Sequence, residues 1–225
     1  MPTIIKEPTV LSVQNLLNRS ERFPVVLVVD SSASMAGGPI AELNAALKVL
    51  EFDLKADTEA KRRVRLMIVQ GGNERASKVI DWVDAENFFP PQLIASGSAP
   101  LGHAVGIALA EIKAELQRLN DEGIPHTRPW LWLLTDGDIN DDEWTQAAAE
   151  CRTVDAAKDI LVCPIAITDT PNIERLEMFS AENVTYQLRP ESFQNFFYMH
   201  SRPTSKQSPF LPRMPFSSAS FASSR

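Results

Sequence analysis

Three side chains with oxygen donors follow an apolar run near the start of the chain. The run Val25–Val29 leads into Asp30, and hydroxyls stand two and four positions later, at Ser32 and Ser34. Hard divalent cations such as Mg²⁺ take oxygen ligands at about 2.0–2.1 Å. In an extended turn alternate residues point the same way, so these three side chains can face one cation. Because two of the three are neutral, the ion would still attract an anionic oxygen from outside.

A fourth candidate ligand, Asp136, follows a second apolar run, Trp130–Leu134. Both runs look like strands buried on two faces, so Asp30 and Asp136 would each stand at the carboxyl end of a strand. In the doubly wound strand order 3-2-1-4-5-6, strands one and four are neighbours at the point where the winding reverses, and ligands bind there. The sequence therefore predicts one oxygen-only metal site, and with it a binding protein and not an enzyme.

The elements that must position this site alternate between strands and helices. Strands are predicted at 25–29, 64–70, 78–83, 130–134, 160–167 and 184–188. Helices are predicted at 39–50, 100–116, 141–158, 172–179 and 192–200. The turn 71–73 is so short that the third strand must run antiparallel to the second. We predict an α/β fold: a doubly wound, mostly parallel six-stranded sheet with one antiparallel edge strand and helices on both faces.

Composition divides the chain into a lead-in at 1–22, one folded domain at 23–200 and a Ser/Pro-rich tail at 201–225 that we expect to be disordered. The formal net charge is −7, and the tail is basic, so the body is strongly acidic. This charge argues against nucleic acid as a ligand. No apolar run reaches about 18 residues, which predicts neither a signal peptide nor a membrane span and favours the cytoplasm. Cys151 and Cys163 lack metal-ligand spacing, and we expect both to be reduced thiols in a cytosolic protein, with Cys163 buried.

Three segments resemble the metal-ion-dependent adhesion site of the von Willebrand factor type A (VWA) family. Val28–Met35 is similar to its first motif, Ala95–His103 to its middle motif and Leu133–Gly137 to its last. The resemblance implies a VWA fold of the Rossmann-like class that holds one Mg²⁺, Mn²⁺ or Ca²⁺ ion. It also implies a non-enzymatic module that binds other proteins, in which an acidic residue of the partner completes the metal's coordination shell.

Within that family, the chain is most similar to small bacterial cytoplasmic VWA proteins of the tellurite-resistance type. The similarity includes Ala95–Gly97, Leu101–Gly102 and Trp130–Asp136, with the acidic helix start that follows. This resemblance implies a role in stress response or signalling. It also implies kinase-like or phosphatase-like proteins as partners.

The middle motif departs from the family pattern at one ligand. The family usually has Thr two residues before Leu-Gly, and Ala99, which offers no oxygen, stands there in this chain. Ser98 could replace that ligand only if the loop shifts by one residue. It could equally cap the helix predicted from Pro100. The resemblance therefore gives Asp30, Ser32, Ser34 and Asp136 as metal ligands, with Ser98 as a conditional fifth.

Two other functions stay open at this point. An Asp at a strand end with Mg²⁺ can act as a nucleophile, as in a Mg²⁺-dependent phosphatase or phosphotransfer enzyme. That chemistry usually wants an acid/base carboxylate two residues later, where this chain has Ser32. The second alternative is a VWA scaffold that binds partners without a metal.

An acidic cluster follows Asp136 along the chain. Asp138, Asp141 and Asp142 could hold a second ion. Asp141 and Asp142 could instead stand at the start of the predicted 141–158 helix, where the helix dipole favours negative charge.

Overall fold

The computed structural model describes residues 18–139, 141–168 and 171–187. The strands are β1 (Phe23–Asp30), β2 (Val64–Gly72), β3 (Arg75–Asp84), β4 (Trp130–Thr135), β5 (Leu161–Ala166) and β6 (Tyr186–Gln187). The helices are α1 (Gly38–Ala56), α2 (Thr58–Arg63), α3 (Leu101–Asp121), α4 (Trp144–Ala156) and α5 (Ile173–Glu177), with 3-10 turns at Ala33–Met35 and Ala85–Asn87. The predicted helix at 192–200, the tail and most of the lead-in lie outside the described residues.

The strands form one mixed sheet in the order β3-β2-β1-β4-β5-β6. Every pairing is parallel except that of β2 with β3, which is antiparallel. The predicted fold class, strand order and antiparallel edge strand are therefore confirmed. The turn at Asn73 and Glu74 has φ of 51° and 65°, the left-handed geometry of a two-residue hairpin.

Strands β1 and β4 lie side by side at the centre of this sheet. Their register pairs Val29 with Leu134, so Asp30 and Thr135 follow at the same edge. On the other side of β1, Asp30 pairs with Gly71. This central position brings together the loops that carry the candidate ligands, because the carboxyl ends of parallel strands meet at one edge of the sheet.

The sheet separates two apolar cores. One core packs the helix α1 residues Leu43 and Leu47 against alternate positions of β1 and β4, including Trp132. The other packs Val105 and Ala108 of α3, with residues of α4, against the opposite face. Alternation of side chains across a strand explains why each strand feeds both cores.

Two helix predictions needed correction, and one helix was not predicted. The sequence reading did not include α2, which begins because the Asp57 side chain accepts hydrogen bonds from the amides of Glu59 (2.8 Å) and Ala60 (3.0 Å). The helix predicted at 141–158 begins only at Trp144, and the one predicted at 172–179 covers Ile173–Glu177. None of the described helices is long and apolar enough to cross a bilayer.

Both cysteines are buried free thiols. Burial raises the pKa of Cys151 and of Cys163 well above the usual range, so both stay protonated near neutral pH. A protonated, buried thiol is a poor metal ligand and a poor nucleophile. Both therefore serve as small apolar core residues.

Candidate metal centre

Asp30 is the fixed point of the candidate centre. Its side chain is fully buried at the end of β1. One carboxylate oxygen, Oδ1, accepts a hydrogen bond from the amide of Ser32 at 2.8 Å, and the other, Oδ2, accepts one from the Thr135 hydroxyl at 2.6 Å. A carboxylate has about four lone-pair positions, so these two bonds leave capacity for a cation.

The two serine hydroxyls of the first loop meet beside Asp30. Ser32 Oγ and Ser34 Oγ lie 2.8 Å apart, although the 3-10 turn replaces the extended loop expected from the sequence. Adjacent ligands of an octahedral Mg²⁺ ion, with bonds of about 2.0–2.1 Å, lie about 2.9 Å apart. The two hydroxyls hydrogen-bond each other at 2.8 Å, and this distance is also close to the separation of two adjacent ligands in such a shell. Ser34 is exposed, so the edge is open to solvent.

Asp136 follows β4 on the neighbouring loop. Its Oδ1 accepts the amide of Asp138 at 2.9 Å, and the side chain remains partly exposed. Thr135 ties this loop to the first one, because its hydroxyl donates to Asp30 and accepts the Gly137 amide at 3.0 Å. Asp30 and Asp136 thus stand on loops that share one hydrogen-bonded junction.

The electrostatics of this junction favour a cation. Burial raises the pKa of Asp30, and hydrogen bonds from Thr135 and Ser32 oppose that rise. The negative charge of Asp136 adds to the rise. A divalent cation bound by oxygen donors would relieve both the burial of charge and the repulsion between the two carboxylates. The donor set, two carboxylates with two hydroxyls, fits Mg²⁺ or Mn²⁺.

The raised pKa of Asp30 predicts a pH dependence. A proton and a divalent cation compete for this carboxylate, so Mg²⁺ affinity is expected to fall as the pH is lowered through the raised pKa. In the metal-free protein, lowering the pH has the opposite effect and stabilises the fold. The raised pKa of Asp30 adds stability at pH values below the pKa of this group in the unfolded chain, and that stability is lost as the pH rises through its pKa in the folded protein. Calorimetric Mg²⁺ titrations at several pH values check the first trend. A Mg²⁺ affinity that stays constant as the pH is lowered would contradict this prediction.

The middle loop lies between the first loop and the β2–β3 hairpin. Ser96 donates its amide to the Ser31 carbonyl, and Gly97 accepts from the Ala33 amide. On the hairpin side, Glu74 accepts the Ser98 amide at 3.2 Å and its hydroxyl at 3.0 Å. The middle motif is therefore adjacent to the candidate centre, but the Ser98 hydroxyl is bonded to Glu74.

Ser98 as a conditional fifth ligand stays a prediction: its hydroxyl is bonded to Glu74, and Ala99 offers no oxygen. Helix α3 has Pro100 as its N-cap with no side-chain cap bond, so the alternative role of Ser98 as a helix cap is wrong. Ala99 is buried in the core beneath the loop. The hairpin glutamate, which sequence analysis missed, explains the position of Ser98, and no spacing rule links residues 74 and 98.

The acidic cluster after Asp136 is used differently from the prediction. Asp141 lies before α4, and its Oδ2 accepts the Gly102 amide of α3 at 2.9 Å. Asp141 therefore caps the first turn of α3. It is not part of α4, which begins only at Trp144. Asp138 and Asp142 are exposed. Within the described ranges, no group of three or more His, Cys, Asp or Glu side chains is placed to hold a metal, so the centre depends on hydroxyls as well as carboxylates.

Comparison with known proteins supports the fold through structure alone. No family model matches the sequence, and no curated protein matches it. Among solved structures, a von Willebrand factor type A protein from Catenulispora acidiphila is 19% identical with a TM-score of 0.51, covering 81% of this chain and 42% of that one. Manganese-loaded TRAP from Plasmodium vivax is 12% identical with a TM-score of 0.57, covering 79% and 72%.

A third similar structure is proximal thread matrix protein 1 from the mussel byssus. It is 13% identical with a TM-score of 0.56, covering 80% of this chain and 45% of that one. This chain thus spans about half the length of the mussel protein. At such low identity the likeness concerns the path of the backbone only. Together with the sheet order, it shows a Rossmann-like fold of the kind that VWA domains have.

Proposed function

We propose that this chain is a protein-binding VWA module that engages an acidic group of its partner through one divalent cation. The observation that carries the proposal is the buried Asp30 carboxylate beside the Ser32–Ser34 hydroxyl pair, spaced 2.8 Å apart. The ligands are Asp30, Ser32 and Ser34, and Asp136 binds the ion or its waters. A bound cation would supply a Lewis-acidic site for a carboxylate oxygen.

Of the three first-loop ligands only Asp30 is charged, so the cation keeps a net positive charge where Asp136 binds its waters and does not bind the ion directly. Two neutral ligands stand beside two carboxylates, and Ala99 adds no oxygen from the middle motif. The remaining coordination positions are therefore available to water or to a partner's Asp or Glu. Exposure of Ser34 gives such a group access from solvent. This arrangement suits recognition, because no acid or base stands where Ser32 does to activate a nucleophile.

The biological setting is proposed from the sequence resemblance. Similarity to tellurite-resistance-type VWA proteins supports a cytoplasmic role in bacterial stress response, with kinase-like or phosphatase-like proteins as partners. The motifs that carry this resemblance are the same ones that surround the candidate centre, Val28–Met35, Ala95–His103 and Leu133–Gly137.

A metal-free scaffold is the second candidate, and one observation favours it. The Ser98 hydroxyl is satisfied by Glu74 and the Ser32 and Ser34 hydroxyls satisfy each other, so the loops hold together through their own hydrogen bonds. Such a module would bind partners through the shape and charge of the same loops.

Calorimetry with Mn²⁺ and Mg²⁺ separates these candidates. We expect one ion per chain and at least tenfold weaker binding in Ser34→Ala, because Ser34 is a proposed ligand. Affinity in Ser98→Ala should stay within about twofold of wild type, because the Ser98 hydroxyl bonds Glu74. Absence of any binding heat and of any thermal shift with either metal would favour the metal-free scaffold. Mg²⁺-dependent hydrolysis of generic phosphoesters that is lost in Asp30→Asn would instead indicate the phosphatase alternative.

A further inference from the structure

Helix α5 brings an arginine against the loop that carries Asp136. The Asn172 side chain caps this helix by accepting the Arg175 amide at 3.3 Å. Asn172 also packs directly on Gly137, where an added Cβ would lie 2.8 Å from the Asn172 nitrogen. The start of α5 is therefore fixed on the third loop of the candidate centre, and Arg175 is fixed with it.

The guanidinium of Arg175 is held by one of its nitrogens. Nη1 donates to the Ile139 carbonyl and lies 3.8 Å from Asp138 Oδ1. The group stacks over Trp144, with Cζ 5.6 Å from the ring centroid. The contacts with the Ile139 carbonyl and with Trp144 restrict this side chain, which lowers the entropy lost when it binds.

The opposite edge of that guanidinium, formed by Nε and Nη2, has no hydrogen-bond acceptor among the described residues. The side chain as a whole is 36% exposed, so solvent reaches part of it. Two parallel N–H groups in one plane match the two oxygens of a carboxylate. Asp138 does not block this edge, because its contact uses Nη1 and its own side chain is 63% exposed.

Arg175 lies close to the candidate metal ligands. Arg175 donates to the carbonyl of Ile139, which is three residues after Asp136. The Cα atoms of Asp136 and Ile139 are therefore at most about 11 Å apart. The exposed carboxylates Asp142 and Glu143 stand on the same segment. They would repel further negative charge on a partner, whereas the guanidinium of Arg175 would attract it.

We propose that Arg175 is a specificity-determining residue that binds a second carboxylate of the partner, next to the one that completes the metal shell. This inference rests on the proposed function. The partner is then a protein segment with two acidic residues at a fixed spacing. One acidic group binds the cation beside Asp30, and the other forms a bidentate pair with Nε and Nη2 of Arg175.

A peptide series tests this inference. The peptides are capped at both termini to remove end charges and carry either one Asp or two Asp residues separated by zero to three glycines. Binding to the whole chain is measured by calorimetry in saturating Mn²⁺, for wild type, Arg175→Gln and the charge-matched control Arg62→Gln. The exposed Arg62 side chain belongs to α2, just before β2 begins, at the opposite end of the sheet.

We expect one spacing to bind wild type and Arg62→Gln about tenfold tighter than the single-Asp peptide, and Arg175→Gln to lose that gain. Mn²⁺ is kept saturating for each variant, and the quantity compared is the affinity gain of the two-Asp peptide over the single-Asp peptide within the same variant. The inference is overturned if no spacing gains affinity, or if the gain survives in Arg175→Gln. A gain that depends on Arg175 and persists without Mn²⁺ would support the inference and contradict the metal-dependent function. Failure of every peptide to bind would overturn both.

Discussion

Asp30→Asn is expected to abolish Mg²⁺-dependent stabilisation while making the metal-free protein more stable. The substitution removes a fully buried negative charge whose pKa is raised by burial, and it keeps a side-chain oxygen to accept the Ser32 amide. It replaces the oxygen that accepts the Thr135 hydroxyl with an NH2 group, which donates to that hydroxyl oxygen instead, and the loss of the buried charge outweighs this change. Metal binding should weaken by at least about 100-fold because the charged ligand is lost. At a free Mg²⁺ concentration 100 times the dissociation constant, wild type gains about 2.7 kcal/mol. For a chain of this size that gain is a shift of roughly 5–10 °C in Tm.

Thermal unfolding with excess Mg²⁺ and with chelator measures both effects. Asp138→Asn serves as the control, because it removes an exposed carboxylate from the neighbouring loop and should leave the Mg²⁺ shift intact. A Mg²⁺ shift of wild-type size in Asp30→Asn would falsify the proposed metal centre. Lower stability of that variant in chelator would show that the buried charge is compensated within the protein.

Gly102→Ala is expected to destabilise the fold by about 2–4 kcal/mol. An added Cβ at Gly102 would lie 2.5 Å from the amide nitrogen of Trp144 and 2.6 Å from the carbonyl carbon of Glu143. It would also lie 2.7 Å from Asp141 Oδ2, the atom that caps α3. Two of these three atoms belong to the backbone, so relief requires that the starts of α3 and α4 move apart.

Gly106→Ala provides the matched comparison within α3. A Cβ at Gly106 meets nothing within 4 Å, so this change should stabilise the helix by about 0.5–1 kcal/mol. Urea unfolding of both variants and wild type gives the difference, in which the effect of helix propensity cancels. Equal stability of the two variants would mean that the junction between the helices yields without strain.

Much of the fold could be predicted from the sequence. The apolar runs Val25–Val29 and Trp130–Leu134 are too long and too uniformly apolar for half-exposed strands, and burial on both faces implies helices on both sides of a parallel sheet. Strand order was taken from the common doubly wound arrangement, and the placement of the two carboxylates at its winding switch point followed from that order. Helix α2 was missed because its six residues carry little apolar periodicity and it depends on the local cap at Asp57.

The candidate site could be predicted only in part. Asp30, Ser32 and Ser34 are close in sequence, so their common loop was visible as a pattern. The bond of Ser98 to Glu74 was not, because it joins residues 24 positions apart on two separate turns. The same holds for Arg175, which reaches the third loop from another helix.

The sequence by itself determined the alternation of strands and helices and the two carboxylates at strand ends, because hydrophobic periodicity and short-range motifs act within a few residues of chain. Only the tertiary structure decided which partners the charged side chains contact. It joined Asp30 to Thr135, turned Asp141 toward Gly102 and placed Arg175 against the loop that follows Asp136. Those outcomes depend on side-chain contacts between segments that the chain order separates, and packing settles them only once the sheet has formed.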